Sequence, residues 1–134
     1  MFSKMNNLRK KALILYPNLH MMLVPSVAVG LFTTICKNNN FDVELFDTTE
    51  YEHDSTTSAE KRVESLQYRP FNPETDVQWT SKPGNLLIKD FIKKVKDFKP
   101  DVIFVSIVED TFVQAIELLD SIKDLNILNV LGGV

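Results

Sequence analysis

Two short stretches late in the chain carry the residue types that could do chemistry. Residues 106–110 read Ser106-Ile107-Val108-Glu109-Asp110, a hydroxyl and two carboxylates among apolar residues, and Gly132-Gly133 is a glycine pair. Glycine lets a backbone lie against a bulky ligand, and a serine hydroxyl can donate to or accept from its polar groups. That is the chemistry of binding rather than of bond breaking. Taken singly, the glycine pair reads as a turn after a strand and Ser106 as a strand-end hydroxyl; facing each other across one crevice, they favour a ligand site. His20 and His53 read as loop histidines that hold no metal. Cys36, the single cysteine, falls among apolar helix positions and reads as a small buried hydrophobe rather than a nucleophile.

One βαβ unit positions these stretches. The pattern predicts a strand over 101–106, a loop over 107–110, a helix from Thr111 to about Leu125 and a strand over 126–131. Parallel strands need a crossover of this length, almost always right-handed, and open α/β sheets bind ligands beyond the carboxyl ends of their strands. Segment 106–110 and the glycine pair should therefore lie side by side on one rim. Thr111 with Gln114 three residues on forms a candidate capping box, and Ala115, Ile116, Leu119 and Ile122 form the expected buried stripe.

Upstream, the apolar run 12–16 predicts a central strand, followed by an apolar loop at 19–24 and a helix from Pro25 to about Lys37. The four-residue spacing of Val27, Leu31 and Ile35, with Ala28 and Phe32 beside them, predicts the face that packs on the sheet. Residues 41–47 alternate apolar with acidic, as an edge strand does, while 102–105 are continuously apolar and belong beside 12–16 in the middle. Asn85 is a good N-cap for a helix over 86–98, with Leu87, Phe91, Ile92, Val95 and Phe98 on one face. The stretch at about 48–85 is too long for an ordinary connection. It could hold a short helix over 58–67, and Tyr51, Tyr68, Phe71 and Trp79 give it aromatic surface to fold back on the body.

The chain of 134 residues fits one domain, and its net charge of -3 gives no basic field for nucleic acid. Arg9-Lys10-Lys11 reads as a solvated strand entrance. No apolar stretch approaches the length of a membrane span or a signal core, and one cysteine suits a reducing compartment, so a cytoplasmic location is expected. The mostly apolar last strand suggests neighbours on both sides. The expectation is an α/β domain of flavodoxin-like (Rossmann-like) type, an open parallel sheet truncated after its fourth strand, with more chain after Val134. Edge-to-edge pairing with a second copy through the exposed sheet edge is a further expectation, and its loss on extending the chain past Val134 would mark it as an artefact of truncation.

The order and spacing of several pieces resemble the cobalamin-binding domain found at the N-terminus of cobalamin-dependent radical SAM proteins. The pieces are residues 13–17, Pro25-Ser26 with Gly30 in the following helix, residues 43–49, Lys99-Pro100-Asp101 leading into Val105-Ser106, and residues 132–134, spanning nearly the whole chain. The resemblance implies a strand order of second, first, third, fourth, with a corrinoid across the carboxyl ends. It implies cofactor contacts from Asn18, Leu19, His20, Val24 and Pro25 on one rim, from Val108, Glu109, Asp110, Thr111 and Phe112 on the other, and from Ser106, Gly132 and Gly133 between them. S-adenosylmethionine and an iron–sulfur cluster would belong to a C-terminal radical SAM domain of the same parent, where methyl transfer or a radical rearrangement would occur. Such a cluster needs three cysteines and this chain has one, so the chain alone should not be an enzyme.

Methyltransferase-type cobalamin domains carry Asp-x-His-x-x-Gly after the first strand; here Asn18-Leu19-His20-Met21-Met22-Leu23 stands there, so His20 lacks that frame, as radical SAM relatives often do. The alternative is a flavodoxin-like interaction or signalling domain without corrinoid. A phosphorylated receiver fits poorly, since Tyr16-Pro17-Asn18 and Ser106-Ile107 stand where its acidic residues belong. A flavin carrier fits poorly because its phosphate loop would be apolar, and a dinucleotide fingerprint is absent because Gly30 is the one glycine of the first crossover.

Overall fold

The computed structural model describes residues 9–20, 22, 26–52 and 81–133. Four parallel strands form one sheet: β1 (Lys11–Tyr16), β2 (Asp42–Asp47), β3 (Val102–Ile107) and β4 (Leu128–Gly133), in the order β2-β1-β3-β4. Among the described residues the helices are α1 (Val27–Asn38), α2 (Leu87–Phe98) and α3 (Phe112–Asp120), one in each crossover. This is a flavodoxin-like open α/β sheet. The continuously apolar β1 and β3 occupy its centre, and β2, whose Asp42, Glu44 and Asp47 are exposed, forms one edge.

The side chains divide by strand parity. Leu13, Leu15, Phe46, Ile103 and Val105 point to one face, where Phe91 and Val95 of α2 and Ala115 and Leu118 of α3 complete the main core. Ala12 and Val102 point to the other, where α1 contributes Cys36. Right-handed crossovers require this division: the connection from β1 to β2 runs one way along the sheet and the other two run the opposite way.

The packing side of α1 differs from the expected one. Val27, Leu31 and Ile35 are 85%, 57% and 47% exposed. The sheet is met instead by Phe32, stacked on Phe104 with ring centres 5.7 Å apart, and by buried Cys36. The helix is apolar around most of its circumference, so periodicity could not choose the face. Its N-cap is Ser26, whose hydroxyl accepts from the Val29 amide at 3.2 Å, so the helix starts after Pro25 rather than on it.

α2 follows a 3-10 turn over Gly84–Leu86, so Asn85 lies inside a turn and caps nothing. Gly84 sets that geometry: a side-chain carbon there would sit 2.4 Å from the Glu52 carbonyl oxygen. α3 ends at Asp120, short of the expected Leu125, and a separate 3-10 turn over Lys123–Leu125 leads to Asn126 in the left-handed region. Its buried positions are Gln114, Ala115 and Leu118, followed by Ile122, while Ile116 is exposed and Leu119 only half-buried. The Thr111–Gln114 capping box does not form, because both side chains are used elsewhere. β4 lies two residues later than the sequence pattern suggested, so the glycine pair is part of the strand rather than a turn beyond it. Among the described residues β4 has one neighbour, β3.

Beyond β2 the chain makes a parallel bridge between Tyr51 and Lys82. The Lys82 ammonium lies 5.1 Å from the Tyr51 ring centre and 2.9 Å from Glu50, and the Tyr51 hydroxyl donates to Asp90 at 2.9 Å. The short helix expected at 58–67, the aromatic cover of Tyr68, Phe71 and Trp79, and His53 lie outside the described residues.

Candidate functional site

Parallel register brings the two chemical stretches together. Ser106 stands beside Gly132 and Ile107 beside Gly133. Beyond them an open crevice of about 600 Å³ is lined by Ile107, Val108, Glu109, Phe112, Leu131, Gly132 and Gly133. Apart from the Glu109 carboxylate the lining side chains are apolar, so the crevice suits the flat apolar body of a ligand with polar groups at its rim.

The two glycines have different physical roles. Gly133 has φ +149°, and a side-chain carbon there would lie 1.7 Å from the Ile107 carbonyl oxygen, so only glycine allows the last β3–β4 pairing. A carbon added to Gly132 meets nothing within 4 Å. Gly132 therefore leaves backbone bare toward the crevice without being required by the fold. Ser106 is half-buried on the α1 face, and its hydroxyl makes no hydrogen bond among the described residues.

Thr111 positions the rim rather than lining it. It is buried, and its hydroxyl accepts from the Val108 amide and donates to the Val108 carbonyl, both at 3.2 Å, which fixes the turn carrying Glu109 and exposed Asp110.

The exit of β1 is organised differently. Asn18 is 5% exposed: its amide N–H donates to Thr48 Oγ1 at 2.8 Å, and its Nδ2 donates to the Met22 carbonyl at 2.7 Å and to Thr49 Oγ1 at 2.8 Å. Thr48, fully buried, also lies 2.9 Å from both the Asn18 carbonyl and Gln114 Oε1. A hydroxyl has one proton, so it donates to one of these acceptors while accepting from Asn18. This junction ties β1, β2 and α3 at the carboxyl end of the sheet.

Leu19 is buried, and His20 Nε2 is 2.7 Å from Ser81 Oγ. Asn18, Leu19 and His20 thus share the crevice's edge of the sheet and line none of it; Val24 and Pro25 lie outside the described residues. Sequence reasoning missed Leu131 as a lining residue and the Thr48–Gln114 contact. Nothing in the pattern marks Thr48 as buried, since it follows an edge strand in a polar stretch.

Burial, reinforced by the Asp47 charge and opposed by a hydrogen bond from Ser26, pushes the Tyr16 phenol up. Burial also pushes the Cys36 thiol up, which keeps it protonated and unreactive. A larger cleft of about 890 Å³ lies at the opposite, amino-terminal end of the strands, with Arg9 paired to Asp42 and Lys94 to Glu44. It lies away from the end where open sheets bind ligands. Among the described residues no group of three or more His, Cys, Asp or Glu could hold a metal ion, and no helix is long and apolar enough to cross a membrane. Compared with protein-family models, curated proteins and solved structures, the chain has no match.

Proposed function

We propose that this chain is the cobalamin-carrying module of a larger radical SAM enzyme. The observation that carries the reading is the β3–β4 register, which sets an unengaged serine hydroxyl beside a glycine with open space above it, at the carboxyl edge of a parallel sheet and next to an apolar crevice. These residues fit a corrinoid: Val108, Phe112 and Leu131 offer apolar contact to the macrocycle, Gly132 gives close backbone approach, and Ser106 offers a hydrogen bond to a polar tail. A corrinoid would be larger than the crevice, so Val108, Phe112, Leu131 and Gly132 would hold only part of it.

When bound, the group supplies a cobalt centre able to carry a methyl group or start a radical rearrangement. The chain's own residues hold it, orient it and keep water from one side. S-adenosylmethionine and the iron–sulfur cluster belong to a radical SAM domain of the parent, which is this module's partner. A second reading, a flavodoxin-like interaction or signalling domain without corrinoid, is favoured by one observation: Asn18, Leu19 and His20 are spent on internal contacts or buried.

Titration of the purified chain with hydroxocobalamin, followed by gel filtration with visible detection, tests the reading. Colour should travel with the protein. Gly132→Leu should weaken binding at least tenfold with an unchanged circular dichroism spectrum, because the added side chain meets nothing in the protein and occupies the open space beside Ser106 on the α1 face. Colourless protein, both for this chain and for a longer one carrying the following residues, refutes the cobalamin reading and leaves the second.

A further inference from the structure

We infer that a cleft between the start of α2 and α3 binds a linear aliphatic amine, held by the Glu52 and Glu117 carboxylates and by the amide oxygen of Gln114. The inference is independent of the corrinoid reading. The cleft, of about 580 Å³, has Glu52, Pro83, Leu87, Ile88, Gln114 and Glu117 in its lining and shares no residue with the crevice at Gly132.

Buried hydrogen bonds decide which end of the Gln114 amide faces this cleft. Gln114 is 5% exposed. Thr48 Oγ1 lies 2.9 Å from the inner atom of that amide and 2.9 Å from the Asn18 carbonyl, while accepting from the Asn18 N–H. With the amide oxygen inward, the single Thr48 proton faces two buried acceptors, and one goes without. The two ends of an amide are nearly alike in shape, so the hydrogen-bond network assigns them. With the nitrogen inward, Nε2 donates to Thr48, Thr48 donates to the Asn18 carbonyl, and both are satisfied. The Gln114 oxygen then faces the cleft, where it has no partner among the described residues.

The cleft's charge points the same way. Its lining holds two carboxylates and no basic residue. Neither glutamate has a cationic partner among the described residues, unlike Asp42, Glu44 and Glu50. An ammonium carries three donors, which match oxygens of Glu52, Glu117 and Gln114, and Pro83, Leu87 and Ile88 give its methylene stem an apolar wall. A metal ion is less suited, because no group of three metal-ligating His, Cys, Asp or Glu side chains lies among the described residues.

Titration of the nitrogen-15-labelled chain with 1,5-diaminopentane from about 0.1 to 20 mM, followed by NMR, reads the binding; exposed ion pairs of this kind set the expected Kd near 1 mM. Shifts should centre on the Gln114 side chain and on Glu117, and 1,5-pentanediol, which has the same stem without charge, should produce none. Glu52→Gln and Glu117→Gln alter exposed side chains, so each should keep the circular dichroism spectrum and weaken binding about two- to fivefold. In the free protein, one Gln114 side-chain N–H should exchange with water at least tenfold more slowly than those of exposed Asn85. Absence of shifts up to the highest concentration overturns the inference, as do equal shifts with the diol or an affinity indifferent to both glutamine substitutions. Fast exchange of both Gln114 protons overturns it too, since the nitrogen would then face the cleft.

Discussion

Thr48→Val replaces a fully buried hydroxyl with a methyl of nearly the same size, and the Thr48 environment predicts a cost out of proportion to that change. The hydroxyl accepts from the Asn18 amide and donates to the Asn18 carbonyl or to Gln114. Valine leaves the buried Asn18 N–H without its acceptor, at about 1–3 kcal/mol, and strands an acceptor at about 1 kcal/mol more. The sum, about 2–4 kcal/mol, is a large share of the 5–15 kcal/mol typical of a folded domain. Thr48→Ser keeps every hydrogen bond and loses one methyl, about 0.8 kcal/mol. Urea unfolding followed by circular dichroism measures both. With a slope near 1.5 kcal/mol per molar, valine should lower the midpoint by roughly 2 M and serine by roughly 0.5 M. A double-mutant cycle with Gln114→Leu should show coupling, because both substitutions remove the same contact. If valine costs no more than serine, the junction is held by packing and the hydrogen-bond argument is wrong.

Other expectations follow from single features. The Tyr51 phenol is pushed up to about 12 by burial first and then by Asp90 and Glu50, against about 10 when unfolded. The folded state holds this proton longer, so its contribution to stability is full below pH 10 and is lost as pH rises from 10 to 12. Allowing for screening by water, the loss is on the order of 1–2 kcal/mol, and Tyr51→Phe should flatten the fall in urea midpoint between pH 10 and 12. Lys99 holds φ +53° as the C-cap of α2. Lys99→Gly removes a left-handed penalty of about 1–2 kcal/mol and adds chain entropy of about 0.5–1 kcal/mol, so the thermal midpoint should rise by a few degrees. Gly133→Ala should fray the end of β4, seen as faster amide exchange where Ile107 pairs with Gly133, whereas Gly132→Ala should leave exchange unchanged.

Much of the architecture was legible because the strands differ in kind. Residues 12–15 and 102–105 are apolar without interruption, so both strands must be covered on two faces, and the acidic alternation of β2 places it at an edge. The meeting of Ser106 with Gly132 followed from the βαβ rule alone. Helix faces and ends were harder to read. α1 is apolar nearly all round, so only contacts such as Phe32 on Phe104 determine its seat. Gly84 against Glu52 starts α2, and Gln114 turns to Thr48 instead of capping α3. Each of these depends on a residue distant in sequence, which no local pattern contains.

The bridge between Tyr51 and Lys82 closes the chain on itself just beyond β2, with a carbonyl, a carboxylate and an aromatic ring holding the two ends together. Closing a loop costs entropy that grows only with the logarithm of its length, about 0.6 kcal/mol for each doubling. Changes in length between residues 52 and 81 are therefore cheap for the sheet, whose geometry is set by the stem. In evolutionary terms this joint is where the domain can acquire or shed sequence while β1, β2 and β3 keep their register, so that variation and conservation can proceed separately in one chain.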